Sequence, residues 1–293
     1  MGRTTSGVTC TDTHCHIHEL LGPATPVYET WHRDDAPRTA ESVLLAARAA
    51  GVKRLIVIGT TLRDSELAVQ FAQSHESVWA AVGLHPHEAK NYTTAQSSSG
   101  DKPHVGGIRG VRPEVVKRLQ ELAREPNVVA IGECGLDYHY TLSPPEDQEA
   151  VVRFQIELAL EHDLPLSFHV REAFGDFWRI LADYPTVRGV LHSFTDSEAN
   201  LERAIERGLC IGVNGIATFA RSAADHVIYR TIPQHLLLLE TDAPFLTPAP
   251  FRGKVCEPRH IVQTAEYIAA LRGEDVATLA AYTNQNAQKL FRF

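Results

Sequence analysis

Val128-Val129-Ala130-Ile131-Gly132-Glu133 is an apolar run closed by a glycine and a carboxylate. Val128–Ile131 is short and shows no polar alternation, so it reads as a strand covered on both faces, the kind found in parallel sheets. Working outward, the same signal recurs at Val8–Thr11, Arg54–Ile58, Val78–Val82, Leu164–Phe168, Gly189–Leu191, Cys210–Val213 and Leu236–Leu239. Segments such as Thr39–Ala50, Arg63–Ser74, Pro113–Arg124, Gln148–Glu161, Ser197–Arg207 and His260–Leu271 lie between them or follow, with apolar residues three and four apart, as in helices. Eight strands with intervening helices predict an α/β protein of the closed (β/α)8 TIM-barrel type rather than an open sheet. A length of 293 residues fits one such domain. Tyr92–Arg112, with Ser97, Ser98 and Ser99 at its centre, lacks apolar periodicity and reads as a flexible loop inserted on the scaffold.

The composition, 44% hydrophobic and 22% charged, is that of a globular chain able to bury a full core. A net charge of -8 excludes a protein that coats nucleic acid through a basic face. It does not exclude an enzyme acting on nucleic acid, because bound cations and a few local Arg or Lys residues can supply the positive field. Cys10, Cys15, Cys134, Cys210 and Cys256 are odd in number and contain no C-x-x-C pair, so neither a disulfide framework nor a zinc knuckle is expected. With no apolar leader or membrane-length run, the expectation is a soluble cytoplasmic protein, or a nuclear one in a eukaryotic cell, with no membrane association and no obligate protein partner.

Laid over the strand ends, the polar residues fall into register. Asp12, His14 and His16 follow the first run, His85 and His87 the third, Glu133 the fourth, His169 the fifth, His192 the sixth and Asp242 the eighth. A barrel brings these ends to its carboxyl-terminal face, where enzymes of this architecture place their active sites. In His14-Cys15-His16 alternate side chains share a face, so both imidazoles can reach one ion while Cys15 faces away. The expected metal ligands are His14, His16, Glu133, His169, His192 and Asp242. That set exceeds what one four-coordinate hydrolytic ion needs, so two divalent ions (Mg, Mn or Zn) are expected, with Glu133 as the bridge.

Thr11-Asp12-Thr13-His14-Cys15-His16, Gly83-Leu84-His85-Pro86-His87, Gly132-Glu133-Cys134-Gly135-Leu136-Asp137-Tyr138, His169-Val170-Arg171, His192-Ser193-Phe194-Thr195 and Glu240-Thr241-Asp242-Ala243-Pro244 resemble, in order, the motifs of the TatD family of metal-dependent deoxyribonucleases. The resemblance runs the length of the chain, to Asn286 and Leu290-Phe291. It implies an amidohydrolase-like barrel that hydrolyses phosphodiester bonds, commonly as a 3′-to-5′ exonuclease on DNA, in DNA processing or repair. By motif, His14, His16, Glu133 and Asp242 hold one metal, Glu133, His169 and His192 the other, and His85 contacts the scissile phosphate. Phe251-Arg252-Gly253-Lys254 looks like the family's Arg-Gly-Lys segment. Departures at Asp196, Glu172 and Cys256 touch no expected ligand and bear on the rim that grips substrate.

The chemistry expected is attack of water on phosphorus, with Asp242 taking the proton and Glu133 holding both ions. His85, His87, Arg171, Arg252 and Lys254 are the candidates to bind substrate and balance phosphate charge. Asp12 is expected to orient a ligating histidine, and Asp137 and Tyr138 to be structural or to line the pocket. The rival reading is a two-metal amidohydrolase or esterase acting on a small molecule, or one that deacylates a nucleic acid, since the same ligands can activate water against a carbonyl. A further rival is a catalytically silent barrel that binds a partner. No Gly-x-Ser-x-Gly elbow supports a serine hydrolase.

Overall fold

The computed structural model describes residues 8–22, 25–34, 36–94 and 110–293. The strands are β1 (Cys10–Cys15), β2 (Val52–Ile58), β3 (Val78–Val82), β4 (Val128–Asp137), β5 (Leu166–Arg171), β6 (Gly189–Leu191), β7 (Cys210–Val213) and β8 (Leu237–Leu239). They form one eight-stranded sheet whose spatial order is the chain order. The α-helices among the described residues are α1 (Pro26–Trp31), α2 (Ala40–Ala49), α3 (Leu62–Ser74), α4 (Pro113–Ala123), α5 (Pro145–Glu161), α6 (Phe174–Ala182), α7 (Glu198–Glu206), α8 (Ala223–Thr231), α9 (Ile261–Arg272) and α10 (Val276–Phe291).

Parallel pairing carries the sheet from strand to strand, as in β3 with β4 and β7 with β8. The last strand returns to the first. Just past β8, Ala243 bridges Cys15 in parallel, the Asp242 N–H donates to the His14 carbonyl at 2.8 Å and the His16 N–H to the Ala243 carbonyl at 2.8 Å. This is the (β/α)8 barrel that the eight apolar runs predict, and residues such as Ile56, Val82, Ile131, Phe168 and Leu238 are wholly buried in it. The chain groups into two compact units. One comprises residues up to Val57 with Phe71–Trp79 and Leu191–Phe293, the other Ile58–Gln70 with Ala80–Val190.

Three strands extend further than the apolar runs suggest, which corrects the placing of the expected ligands after the strands. Asp12 and His14 lie inside β1, Glu133 inside β4 and His169 inside β5. The cause is that a backbone ladder is indifferent to side-chain polarity. Cys134, Gly135, Leu136 and Asp137 pair in parallel with Phe168, His169, Val170 and Arg171 although charged groups project from both strands. Gly135 is required here. Its φ is +145°, and a Cβ at this position would come within 1.9 Å of the His169 carbonyl oxygen.

The ends of the Tyr92–Arg112 segment pair with each other: Thr93 bridges Val111 in antiparallel, and the Thr94 and Arg112 N–H groups donate to Gly110 and Tyr92 carbonyls. The serine run Ser97–Ser99 lies outside the described residues. No helix among the described residues is long and apolar enough to cross a membrane.

Asn286 on α10 donates from Nδ2 to the carbonyls of Gln234 and Leu237, at 2.7 and 2.8 Å, which ties that helix to the entrance of β8. Ahead of α9, the Glu257 N–H donates to His260 Nδ1 at 3.0 Å. That bond requires a neutral ring, and burial followed by the nearby charges of Arg259, Arg38 and Lys254 pushes His260 down to about 4. An unfolded chain, with histidine near its ordinary value, takes up a proton that the folded chain refuses. Stability is therefore complete above about pH 6.5 and falls as pH drops toward 4, by up to about 3 kcal/mol. His260→Asn keeps an acceptor but does not titrate, so its denaturation midpoint should vary less over this window than that of the wild type. Equal slopes for the two proteins would refute the assignment.

Candidate active site

In the first unit, His14, His192 and Asp242 each offer a ligand atom within 4.8 Å of the others. The His14 and His192 rings stack, with centroids 3.6 Å apart, and His16 Nε2 lies 3.4 Å from Asp242 Oδ1. Burial pushes the Asp242 carboxyl up, but hydrogen bonding from His16 and the charges of His192 and His14 outweigh it and hold the group below the usual carboxylate range. Asp242 sits at φ 56° and Ser193, just after His192, at φ 50°, backbone conformations that cost energy away from glycine. Trp31 Nε1 donates to the His16 carbonyl at 3.1 Å and pins the end of the β1 segment from outside.

Asp12 holds His14 through its backbone. Its carboxylate accepts from the Thr241 N–H at 2.9 Å, the Thr241 hydroxyl at 2.6 Å and the His14 N–H at 3.3 Å. It thus ties the backbone under His14 to the backbone leading into Asp242. Burial is complete and raises its pKa to about 8 against the pull of these bonds. The carboxylate beside the His192 ring is Glu240, which the sequence reading passed over. Glu240 Oε1 lies 2.9 Å from His192 Nδ1 and accepts from the Ser193 N–H at 2.7 Å and from Asn214 Nδ2 at 3.1 Å. Gly212 makes room for it, since a Cβ there would meet Glu240 Oε2 at 2.3 Å. The available signal was Glu-x-Asp parity after an all-leucine strand, which puts both acids on one face.

In the second unit, His85, Glu133 and His169 form a like cluster, again within 4.8 Å. His169 Nδ1 lies 3.1 Å from Glu133 Oε1, and His85 Nε2 lies 3.5 Å from the same oxygen. The His87 N–H donates to His85 Nδ1 at 3.2 Å, and burial pushes His85 down to about 4. A ring that accepts at Nδ1 keeps its proton on Nε2, so His85 is a neutral donor rather than a cation. Cys15 Sγ faces the Ile56 carbonyl and Cys134 Sγ the Ser167 carbonyl, both away from the ligands, as alternation along a strand requires.

Of the remaining candidates, His87 lies against the second cluster, its ring centroid 4.3 Å from that of His85. His87 Nε2 is taken by Asp137 at 3.0 Å, the Arg171 guanidinium lies over Tyr140 at 4.8 Å and that of Arg252 over Phe219 at 4.9 Å. Lys254 is exposed and lines a cavity of about 640 Å³ with Arg38, Phe251 and His260. Imidazole and carboxylate donors gathered in threes, with no disulfide or nucleophilic thiol beside them, suit a hydrolytic divalent ion.

A (β/α)8 barrel carrying such histidine and carboxylate clusters at its strand ends is a metal-dependent hydrolase. Comparison with known proteins makes this more specific. The family described as TatD related DNase matches residues 11–292, and the chain belongs to it. A 3′-5′ ssDNA/RNA exonuclease TatD of Shigella flexneri is 34% identical over 258 residues, 86% of this chain and 92% of that one. The uncharacterized metal-dependent hydrolase YabD of Bacillus subtilis is 33% identical over 283 residues, 96% of this chain and 98% of that one. The crystal structure of YJJV, a TatD homolog from Escherichia coli, superposes with a TM-score of 0.77 at 27% identity, covering 97% of this chain and 98% of that one.

Proposed function

We propose that the protein hydrolyses phosphodiester bonds at the 3′ end of single-stranded DNA or RNA, with one divalent ion at each of the two clusters. The observation that carries this reading is the pair of clusters, His14–His192–Asp242 and Glu133–His169 with His85 beside them, in a chain of the TatD family. The relatives' names widen the expected substrate from DNA to include RNA. His16, whose Nε2 lies 3.4 Å from Asp242, completes the first group, and His192 stands with His14 and Asp242 rather than with Glu133 and His169 as the family motifs imply. Divalent ions supply acidified water and a positive field for the phosphate oxygens.

The rest is the work of side chains. Asp242, ionised throughout the neutral range, accepts the proton of the attacking water. His85 donates its Nε2–H to a phosphate oxygen without adding charge, and its ring is held for this by the His87 N–H. Lys254 and Arg252, both exposed on the segment after β8, are placed to steer a polyanion toward an acidic protein. The small-molecule reading has no observation of its own in its favour. The protein is proposed to work in the cytoplasm.

The test is incubation of metal-loaded protein with single strands labelled at the 5′ end. A ladder shortening one nucleotide at a time from the 3′ end is expected with DNA and RNA. Intact strands under Mg²⁺, Mn²⁺ and Zn²⁺, beside turnover of a carboxylic ester, would replace the nuclease by the esterase reading.

A further inference from the structure

Asp137 is the one residue of the Gly-Glu-Cys-Gly-Leu-Asp segment whose carboxylate is fully enclosed by donors. It is wholly buried. Its Oδ2 receives His169 Nε2 at 2.9 Å and His87 Nε2 at 3.0 Å. Its Oδ1 accepts from the Tyr140 N–H at 2.9 Å. Gln148 fixes the backbone on both sides, accepting from the Asp137 N–H at 2.7 Å and donating to the Asp137 carbonyl at 3.1 Å. With each oxygen already accepting, the carboxylate has little capacity left to bind an ion itself.

We propose that Asp137 is a positioning residue that selects the tautomer of His169, holding the proton on Nε2 so that Nδ1 is the nitrogen given to the metal. The inference rests on the metal-dependent reading above. His169 has a carboxylate at each ring nitrogen, Glu133 at Nδ1 and Asp137 at Nε2. Only one nitrogen can keep its proton when the neutral ring coordinates an ion. Glu133 is an expected ligand and Asp137 is saturated by donors, so the proton stays on the Asp137 side. A carboxylate hydrogen-bonded to the far nitrogen of a ligating imidazole fixes the ring and raises its basicity. His87 shares the acceptor oxygen, which joins the loop after β3 to the same anchor and keeps His87 Nε2 turned to Asp137.

Asp137 and His169 are set face to face by the parallel register of β4 and β5, in which Gly135 pairs with His169 and Asp137 with Arg171. Gly135 permits that approach because it has no side chain to meet the His169 carbonyl.

The test uses the full chain, freed of metal by chelation and titrated calorimetrically with Mn²⁺ for wild type and Asp137→Asn. In either orientation the isosteric amide removes the negative charge opposite Nε2, and with its NH₂ group toward the imidazoles it also favours the opposite His169 tautomer. Affinity at one ion site should fall about 10- to 100-fold, while circular dichroism and melting temperature stay near those of the wild type. Equal affinities would overturn the proposal and leave the metal-dependent reading standing. A wild-type chain that takes up no ion would overturn both.

Should Asp137→Asn not fold, nitrogen-15 NMR of the Zn²⁺-loaded wild type decides directly. A protonated Nε2 and a metal-shifted Nδ1 at His169 are expected, and the reverse pattern would refute the assignment.

Discussion

Glu133→Gln should lower kcat on a 3′-terminated single strand by roughly 10³-fold, equivalent to about 4 kcal/mol of lost transition-state stabilisation. The substitution keeps size and shape but removes the negative charge that lies 3.1 Å from His169 Nδ1. A neutral amide is a poor ligand for a hard divalent ion, and its NH₂ group cannot coordinate through a lone pair. The loss should appear at the second cluster, whereas His192→Ala should weaken the first. Single-turnover cleavage of a labelled strand measures the effect, and the melting temperature checks that the chain is still folded. A loss of less than about tenfold in kcat would mean that Glu133 is no ligand, since removal of one well-placed electrostatic partner in an active site ordinarily costs 10²- to 10³-fold.

Removal of divalent ions should abolish cleavage and also destabilise the fold. The first cluster crowds its donors without an ion: His14 and His192 stack at 3.6 Å, and the buried acids Asp12 and Glu240 repel each other beside them. An ion bound only by the folded chain stabilises it by about 2.7 kcal/mol at 100 times its dissociation constant. The melting temperature of chelator-treated protein should therefore rise by several degrees when Mn²⁺ or Zn²⁺ is returned, and activity should return with it. Full activity after exhaustive chelation would exclude metal dependence, and restored activity with no thermal shift would place the ions elsewhere than in these buried clusters.

The barrel was legible in the sequence because parallel strands buried on both faces leave continuous apolar runs, as at Val78–Val82, Gly189–Leu191 and Cys210–Val213, where the strands begin and end as read. The errors cluster where the site begins. At β1, β4 and β5 the polar ligands look like the end of a strand, but they project from a ladder that continues beneath them. Apolar periodicity also fails to mark α1, which is short, and α8, whose only buried residue is Tyr229; α6 was there to be read, with Phe174, Phe177, Trp178 and Leu181 three and four apart.

The residues that the two clusters gather were readable in type and order because strand position fixes which end of the barrel a residue reaches. What supports them was not, since that depends on contacts between distant segments. Asp12 meets Thr241 across 229 positions, and Glu240 meets Asn214 and Ser193 through a space that Gly212 leaves open. His85 read as the group on the scissile phosphate; its neutrality emerges only from the His87 N–H at its Nδ1 and from its burial.

The central claim, one divalent ion at each cluster, is tested most directly by anomalous diffraction from crystals of the protein grown with Mn²⁺. Two peaks are expected per chain, one bounded by His14, His192 and Asp242, the other beside Glu133 and the Nδ1 of His169. Density without a peak at either cluster, in crystals of protein that cleaves DNA in the same Mn²⁺ solution, would contradict it.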